Sequence, residues 1–239
     1  MKNIAKIGIV LFLFTLSGRS YAQFNGYMNS ISGFYSHTVS ARLYLQPKAA
    51  DEFLRGLHTT LEKIPGFGIE YRRRITDSFV MGLGIEYLVK TDDITTITVI
   101  SSYARNIKVQ DGFTVIPVEL TGYYLFPFSL EKFKFFMGAG AGYYFGSHRR
   151  IAGDIKSVTE KRESSFGIHV LVGVDALLLD YLSLRGTVKF RDMDFTMYNR
   201  YDKNEGIYED VPIRILNTTF DSKAVVDGIM FNIGLSFHF

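Results

Sequence analysis

Residues 229–239 read IMFNIGLSFHF, and the two faces of this stretch decide the fold. Ile229, Phe231, Ile233, Leu235, Phe237 and Phe239 share one face of an extended chain. Met230, Asn232, Gly234, Ser236 and His238 share the other. Side chains that alternate every second residue make a strand, whereas a helix with about 3.6 residues per turn would scatter the same set around its circumference. One face is aliphatic and aromatic, and the other is polar or small. That is the division a strand needs when lipid lies outside it and a polar lumen inside.

The same alternation recurs upstream. Phe79, Met81, Leu83, Ile85, Tyr87 and Val89 are predicted to face out, opposite Gly82, Gly84, Glu86 and Lys90. Ile116, Val118, Leu120, Gly122, Tyr124 and Phe126 oppose Pro117, Glu119, Thr121 and Tyr123. Segments starting at Phe67, Phe133, Phe166 and Leu182 repeat the pattern. The first strand is placed over residues 32–45, with Tyr35, Val39, Ala41, Leu43 and Leu45 outward. Three connections are tight, around residues 76–78, 127–132 and 180–181, and four are long, over 46–64, 91–113, 147–164 and 193–227. Short periplasmic turns alternating with long extracellular loops fit an even-numbered barrel with both termini on one side. A soluble barrel would carry its polar residues outside, the reverse of this pattern. The predicted fold is all-β: an eight-stranded antiparallel up-and-down transmembrane β-barrel.

The rest of the chain agrees. Lys2 and Lys6 precede the apolar run IGIVLFLFTL at residues 7–16, and Ser20 and Ala22 hold the small-residue positions before a cut. Residues 1–22 therefore read as a cleaved signal peptide and 23–239 as one barrel domain. Cys is absent, which removes disulfides and thiolate metal sites from consideration. A net charge of +3 is too weak to imply nucleic acid. After residue 22, Glu119 and Asp175 interrupt the longest apolar stretches before they reach the about 20 residues a spanning helix needs. An aromatic, exported chain without such a helix can cross a bilayer as a closed barrel, which satisfies its backbone hydrogen bonds between strands.

The segments IPVELTGYYLFP (residues 116–127) and KFFMGAGAGYYFG (134–146) resemble the family of small eight-stranded outer-membrane proteins related to OmpW and OmpA. FGIHVLVGVDALLLDYLSLRGTVKFRDMDF (166–195) resembles the next hairpin of that family. The closing GLSFHF (234–239) looks like the C-terminal signal read by the outer-membrane assembly machinery, and the outward Phe231, Ile233, Leu235, Phe237 and Phe239 of the last strand are assigned to that signal. The resemblance implies a bacterial outer-membrane location. Its OmpW side implies passage of small, hydrophobic molecules through a lateral opening.

An eight-stranded barrel is only wide enough for side chains to fill, so inward charges must pair. The predicted interior network is Arg42, Glu70, Arg72, Glu86, Glu119, Lys134, Asp175, Arg185, Lys189 and Arg191. It reads either as a structural plug or as a narrow conduit whose excess of positive charge favours anions. Gly138, Gly140 and Gly142 on the inward face make room either for Tyr123 or Tyr144 or for a ligand. In the first long loop Phe53, Leu54, Leu57, Leu61 and Ile64 share a helical face after Asp51 and Glu52, able to lie on the outer leaflet or to cap the mouth. His148, Arg149, Arg150, Lys156, Lys161 and Arg162 form a basic third loop, either simply solvated or able to meet lipopolysaccharide phosphates. The fourth loop adds Tyr198, Tyr201 and Tyr208.

None of His37, His58, His148, His169 and His238 sits in a nucleophile motif, and no spacing suggests a metal or a cofactor. The expected function is a structural or surface-interaction barrel rather than an enzyme. The alternative is a narrow channel or lateral-diffusion transporter, and a lipid-modifying enzyme ranks below both. Expected partners are outer-membrane lipids and lipopolysaccharide, the assembly machinery and a small-molecule ligand, but not nucleic acid. Deleting Phe239 is expected to impair membrane assembly. The check is the heat-modifiable gel shift of membrane fractions, and normal insertion of the truncated chain would remove the assembly-signal role.

Overall fold

The computed structural model describes residues 26–100, 103–163, 165–215 and 217–239, so the signal-peptide segment lies outside the described residues. Nearly all of the described chain is strand. The elements are β1 (Asn29–Tyr44), α1 (Glu52–Gly56), β2 (His58–Arg74), β3 (Phe79–Ile100), β4 (Tyr103–Leu125), β5 (Phe133–Ala152) and β6 (Ile155–Arg162). They continue with β7 (Ser165–Leu179), β8 (Leu182–Tyr201), β9 (Glu205–Tyr208), β10 (Val211–Arg214) and β11 (Thr219–His238). Sequence neighbours pair antiparallel around the wall, with β6 and β7 sharing the one position between β5 and β8. β11 pairs with β8 on one side and with β1 on the other, from Ser30 opposite His238 upward, which closes a ring of eight positions. Asn29 and Phe239 exchange both backbone hydrogen bonds at 2.9 Å, so the ring is sealed to its end. The chain thus has the fold of an eight-stranded transmembrane β-barrel.

β8 shows how the barrel is layered. Its inward side chains are, in order, Ser183, Arg185, Thr187, Lys189 and Arg191, then Met193, Phe195 and Met197, then Asn199, all of them buried. Its outward side chains are Leu184, Val188 and Phe190, followed by Asp192, Asp194 and Arg200. Inside and outside change character at the same point. Below Asp192 the strand is apolar outside and charged inside, as lipid requires. Above it the strand is polar outside and apolar inside, as water requires. β11 turns over at the same level, from outward Ile229 and inward Asn232 to outward Asp227 and inward Val226 and Ala224.

The upper half therefore has a core of its own. Ala41, Leu43, Leu61, Ile64, Leu88, Phe113, Val115, Tyr144, Met193, Phe195, Met197, Ala224, Val226 and Met230 pack as one buried cluster across the lumen. Phe113 and Phe195 meet edge to face, with ring centroids 6.0 Å apart. Gly146 is obligatory beside them, because a Cβ there would fall 2.1 Å from the Phe195 ring. A second cluster of Ile107, Val109, Ala152, Ile155 and Ile213 lies under the β9–β10 hairpin. Asp154 ties that hairpin down by accepting from the Ile207 N–H at 2.7 Å and from the Lys203 ammonium at 2.5 Å. Those two donors hold the Asp154 carboxyl below its ordinary range. The tie is therefore complete at neutral pH and is lost only as pH falls through that lowered value.

Several sequence expectations change here. The predicted long loops 91–113, 147–164 and 193–227 are largely strand, because the wall continues beyond the apolar belt with its two faces exchanged. Of residues 46–64, 58–64 already belong to β2, and 52–56 form a five-residue helix that buries none of its side chains. Asp51 caps it by accepting from the Phe53 and Leu54 N–H groups. Leu61 and Ile64 are not on that helix; they are fully buried in β2, on either side of Lys63, whose φ is 55°. The register of β1 also shifts between Thr38 and Arg42. That shift turns Ala41 and Leu43 inward, although strict alternation placed them outside.

Truncating Phe195 to Ala removes the centre of the upper core, and the expected loss is about 3–5 kcal/mol of unfolding free energy. Urea unfolding of the folded barrel in lipid vesicles checks this, with Leu184→Ala on the lipid side expected to cost less.

Candidate functional site

The lower lumen is where the strand pattern concentrates its charge. β2 supplies Glu70 and Arg72, β3 Glu86, β4 Glu119, β7 His169 and Asp175, and β8 Arg185, Lys189 and Arg191. Each is inward because it occupies the small or polar phase of a strand whose other phase is apolar. These groups come from sequence positions more than 100 residues apart and meet because the ring closes.

Two connected clusters result. In the first, Arg185 reaches Glu70 at 2.8 Å and Asp175 at 2.9 Å. Arg72 reaches Asp175 at 3.2 Å and Glu70 at 3.6 Å. The Tyr123 hydroxyl donates to Glu70. The Arg185 guanidinium also sits 4.5 Å from the Phe136 ring centroid, a cation–π contact. In the second cluster, Arg191 bridges Glu86 at 2.6 Å and Glu119 at 2.7 Å. Lys189 reaches Glu119 at 2.8 Å. Ser36 donates to Glu86, and the Tyr144 hydroxyl donates to Glu119 at 3.4 Å. Tyr144 belongs to the apolar cluster above, so it joins the two layers.

Of the ten residues predicted for the interior, eight meet in these clusters. They are four carboxylates against four cations, so the excess of positive charge expected from the sequence is absent among them. Arg42 is a correction. The shift in β1 turns it outward, where it pairs on the surface with Asp227. Lys134 lies half-buried at the start of β5, opposite Asp175 in the backbone register. The inward glycines serve packing at close range. A Cβ on Gly138 would lie 3.0 Å from the Tyr123 ring, one on Gly140 2.7 Å from His169, and one on Gly142 2.8 Å from Glu119. The space left among the charges is a cavity of about 30 Å³ bordered by Glu70, Glu86, Glu119, Arg185, Lys189 and Asn232, on the scale of a single water.

Two features escaped the sequence reading. Thr121 Oγ1 and His169 Nε2 are 2.9 Å apart, and His169 Nδ1 lies 3.7 Å from Glu119. The order hydroxyl, imidazole, carboxylate is that of a triad, but Glu119 is already engaged by Lys189 and Arg191 and the surroundings are closed. The other feature is a second buried polar layer, above the apolar cluster. Asp111 receives His148 Nε2 on one oxygen and Arg150 on the other at 2.6 Å, and Asn199 bonds Ser222 at 2.8 Å beside them. His148 and Arg150 stood in a predicted basic loop. Their alternation with outward Arg149 was the strand signal that could have found them. Among the described residues no group of three or more His, Asp or Glu is placed to hold a metal ion.

The outward residues of the final strand, Phe231, Ile233, Leu235, Phe237 and Phe239, are all exposed on the apolar belt. Comparison with solved structures gives the outer-membrane protein OprG of Pseudomonas aeruginosa at 15% identity and TM-score 0.53, covering 89% of this chain and 96% of that one. Neisserial surface protein A follows at 15% identity and TM-score 0.48, covering 88% and 97%. Ail of Yersinia pestis follows at 11% identity and TM-score 0.47, covering 89% and 99%. No family model and no curated protein matches the chain. At this identity the likeness to OprG speaks to the fold, that of a small outer-membrane β-barrel.

Replacing Arg191 by Met leaves Glu86 and Glu119 buried without their shared cation. The expected loss is about 3–5 kcal/mol, as for one partner removed from a buried pair. Adding Glu86→Gln to Arg191→Met is expected to restore part of it, measured by the same urea titration in vesicles.

Proposed function

We propose that this chain is an integral protein of the bacterial outer membrane that works as a structural or surface-interaction barrel, with a closed lumen. The observation that carries this reading is the mutual neutralisation of Glu70, Glu86, Glu119 and Asp175 by Arg72, Arg185, Lys189 and Arg191, with a water-sized space left between them. The apolar cluster stacked above them would present a dewetted barrier to any ion that passed the charges. In this reading residues 1–22 direct export and are removed. The outward face of residues 229–239 is what the assembly machinery reads. The apolar belt contacts membrane lipid, and the exposed cations Arg149, Lys161 and Arg162, lying beyond that belt, meet lipopolysaccharide phosphates.

A second reading, lateral passage of small molecules, is favoured by one observation. β5 and β6 share only two paired positions, Ile151 with Lys156 and Ala152 with Ile155. Below them the Ser157 and Thr159 hydroxyls, rather than backbone carbonyls, accept from the Arg150 and His148 N–H groups at 2.9 and 3.0 Å. Far fewer backbone pairs join β5 to β6 than join β4 to β5.

Reconstitution decides between the two. The purified barrel in planar bilayers is expected to show no conductance steps, and vesicles carrying it no flux of apolar or anionic solutes beyond that of empty vesicles. Arg185→Ala and Glu119→Ala are expected to open conductance only if the charges are the barrier. Solute flux through the unmodified protein would overturn the closed-lumen reading in favour of transport.

A further inference from the structure

Gly186 leaves a gap in the lipid-facing side of the wall. It holds an outward position on β8, between Leu184 and Val188, and a Cβ built on it would meet no atom within 4 Å. Around it lies a groove of about 550 Å³. Its sides come from three strands: Val172 and Val174 of β7, Val188 of β8, and Phe231 and Ile233 of β11. Val172, Val188, Phe231 and Ile233 are 42–57% exposed, which puts the groove on the outer side of the barrel. Phe126, Phe128 and Phe135 close its periplasmic end. The Phe126 and Phe128 rings stack with centroids 5.0 Å apart, and Phe128 and Phe135 follow at 6.1 Å.

The groove is blind. Gly186 is paired with Val174 of β7 on one side and with Ile233 of β11 on the other, and both ladders run on above and below it. The backbone therefore seals it from the lumen, and whatever fills it comes from the membrane side. Gly186 lies five positions above Tyr181, in the β7–β8 turn, and six below Asp192, where the faces of β8 exchange. The groove thus runs from near the middle of the apolar belt toward its periplasmic edge.

The lining selects the occupant. Among the described residues no charged side chain borders the groove, so a headgroup has no partner there and a hydrocarbon chain loses nothing. A chain lying on a flat wall is touched on one side. A chain in the groove is touched on three, and dispersion attraction adds up with each neighbouring atom. Val172, Val174 and Val188 have stiff β-branched side chains, so the groove exists before the chain arrives and little ordering of the protein opposes binding. A second barrel would have to displace lipid that is as apolar as itself, with no hydrophobic gain between the two. Building on the reading that the apolar belt contacts membrane lipid, we propose that this groove holds one acyl chain of a phospholipid from the periplasmic leaflet, as a fixed lipid. Its site lies outside the charged lumen and does not depend on whether the lumen conducts.

The test reconstitutes the full barrel in vesicles of dioleoylphosphatidylcholine containing added oleate, releases it into mild detergent and weighs it by native mass spectrometry. One retained phospholipid per barrel is expected. Gly186→Leu places a side chain in the open space of the groove and is expected to lower the retained fraction at least about fivefold. Ala141→Leu, on an exposed outward position of β5 away from the groove, is expected to leave retention unchanged. Gly186→Ala, with an intermediate loss expected, carries the test if the leucine variant loses its heat-modifiable gel shift. Retention of oleate in place of phospholipid, a barrel dimer without lipid, no retained lipid, or equal retention by a folded Gly186→Leu variant overturns the proposal. A barrel that fails to float with the vesicles overturns the membrane reading itself, whereas a floating barrel that retains no lipid overturns the groove alone.

Discussion

Polar groups inside a ring of strands surrounded by lipid have only one another for partners. The backbone meets this constraint by closing β11 onto β1, so that no edge is left in the apolar belt. The side chains meet it by neutralising charge within the lumen, where Arg191 spans Glu86 and Glu119 and Arg185 spans Glu70 and Asp175. Those bridges require residues from β2, β3, β4, β7 and β8 to arrive at one level. Closure and charge pairing are therefore a single requirement. A slip of one register position would send the carboxylates into lipid and the phenylalanines into the lumen.

The same constraint explains the upper half by its absence. Once the wall rises above lipid, water satisfies the outward side chains, and the ordinary hydrophobic effect takes over the interior. Asp192, Asp194 and Asp227 then stand outside while Met193, Phe195 and Val226 fill the centre. One continuous strand such as β8 thus obeys two solvents in turn. The level at which its faces exchange marks the edge of the apolar belt. Above that edge the polar layer around Asp111 and the β9–β10 hairpin give the mouth a fixed shape.

The lower barrel was legible because a single rule, apolar outward and polar or small inward, holds for most positions there, with Val80, Phe136 and Leu171 as buried apolar exceptions. Glu119, Asp175 and Arg185 could each be placed from their two neighbours. The upper barrel was not legible by that rule, because its strands alternate in the opposite phase. Residues 193–201, MDFTMYNRY, alternate as regularly as any others, but with the polar phase outward, and so read as loop. Arg42 was misplaced for a related reason: a shift of register inside β1 breaks the parity on which the whole inference rests.

By itself the sequence determined the strand period, the class of barrel, the apolar belt and most of the inward charges, because each depends only on alternation between adjacent residues. The tertiary structure alone decided which charges pair, since Arg191 and Glu86 are 105 positions apart and share a bond only when the ring is closed. It alone turned Arg42 outward, stacked an apolar core on the charged layer and set Arg150 and His148 on the buried Asp111. Those outcomes depend on register and closure, which are properties of strand pairs and of the whole ring, and no single strand encodes them.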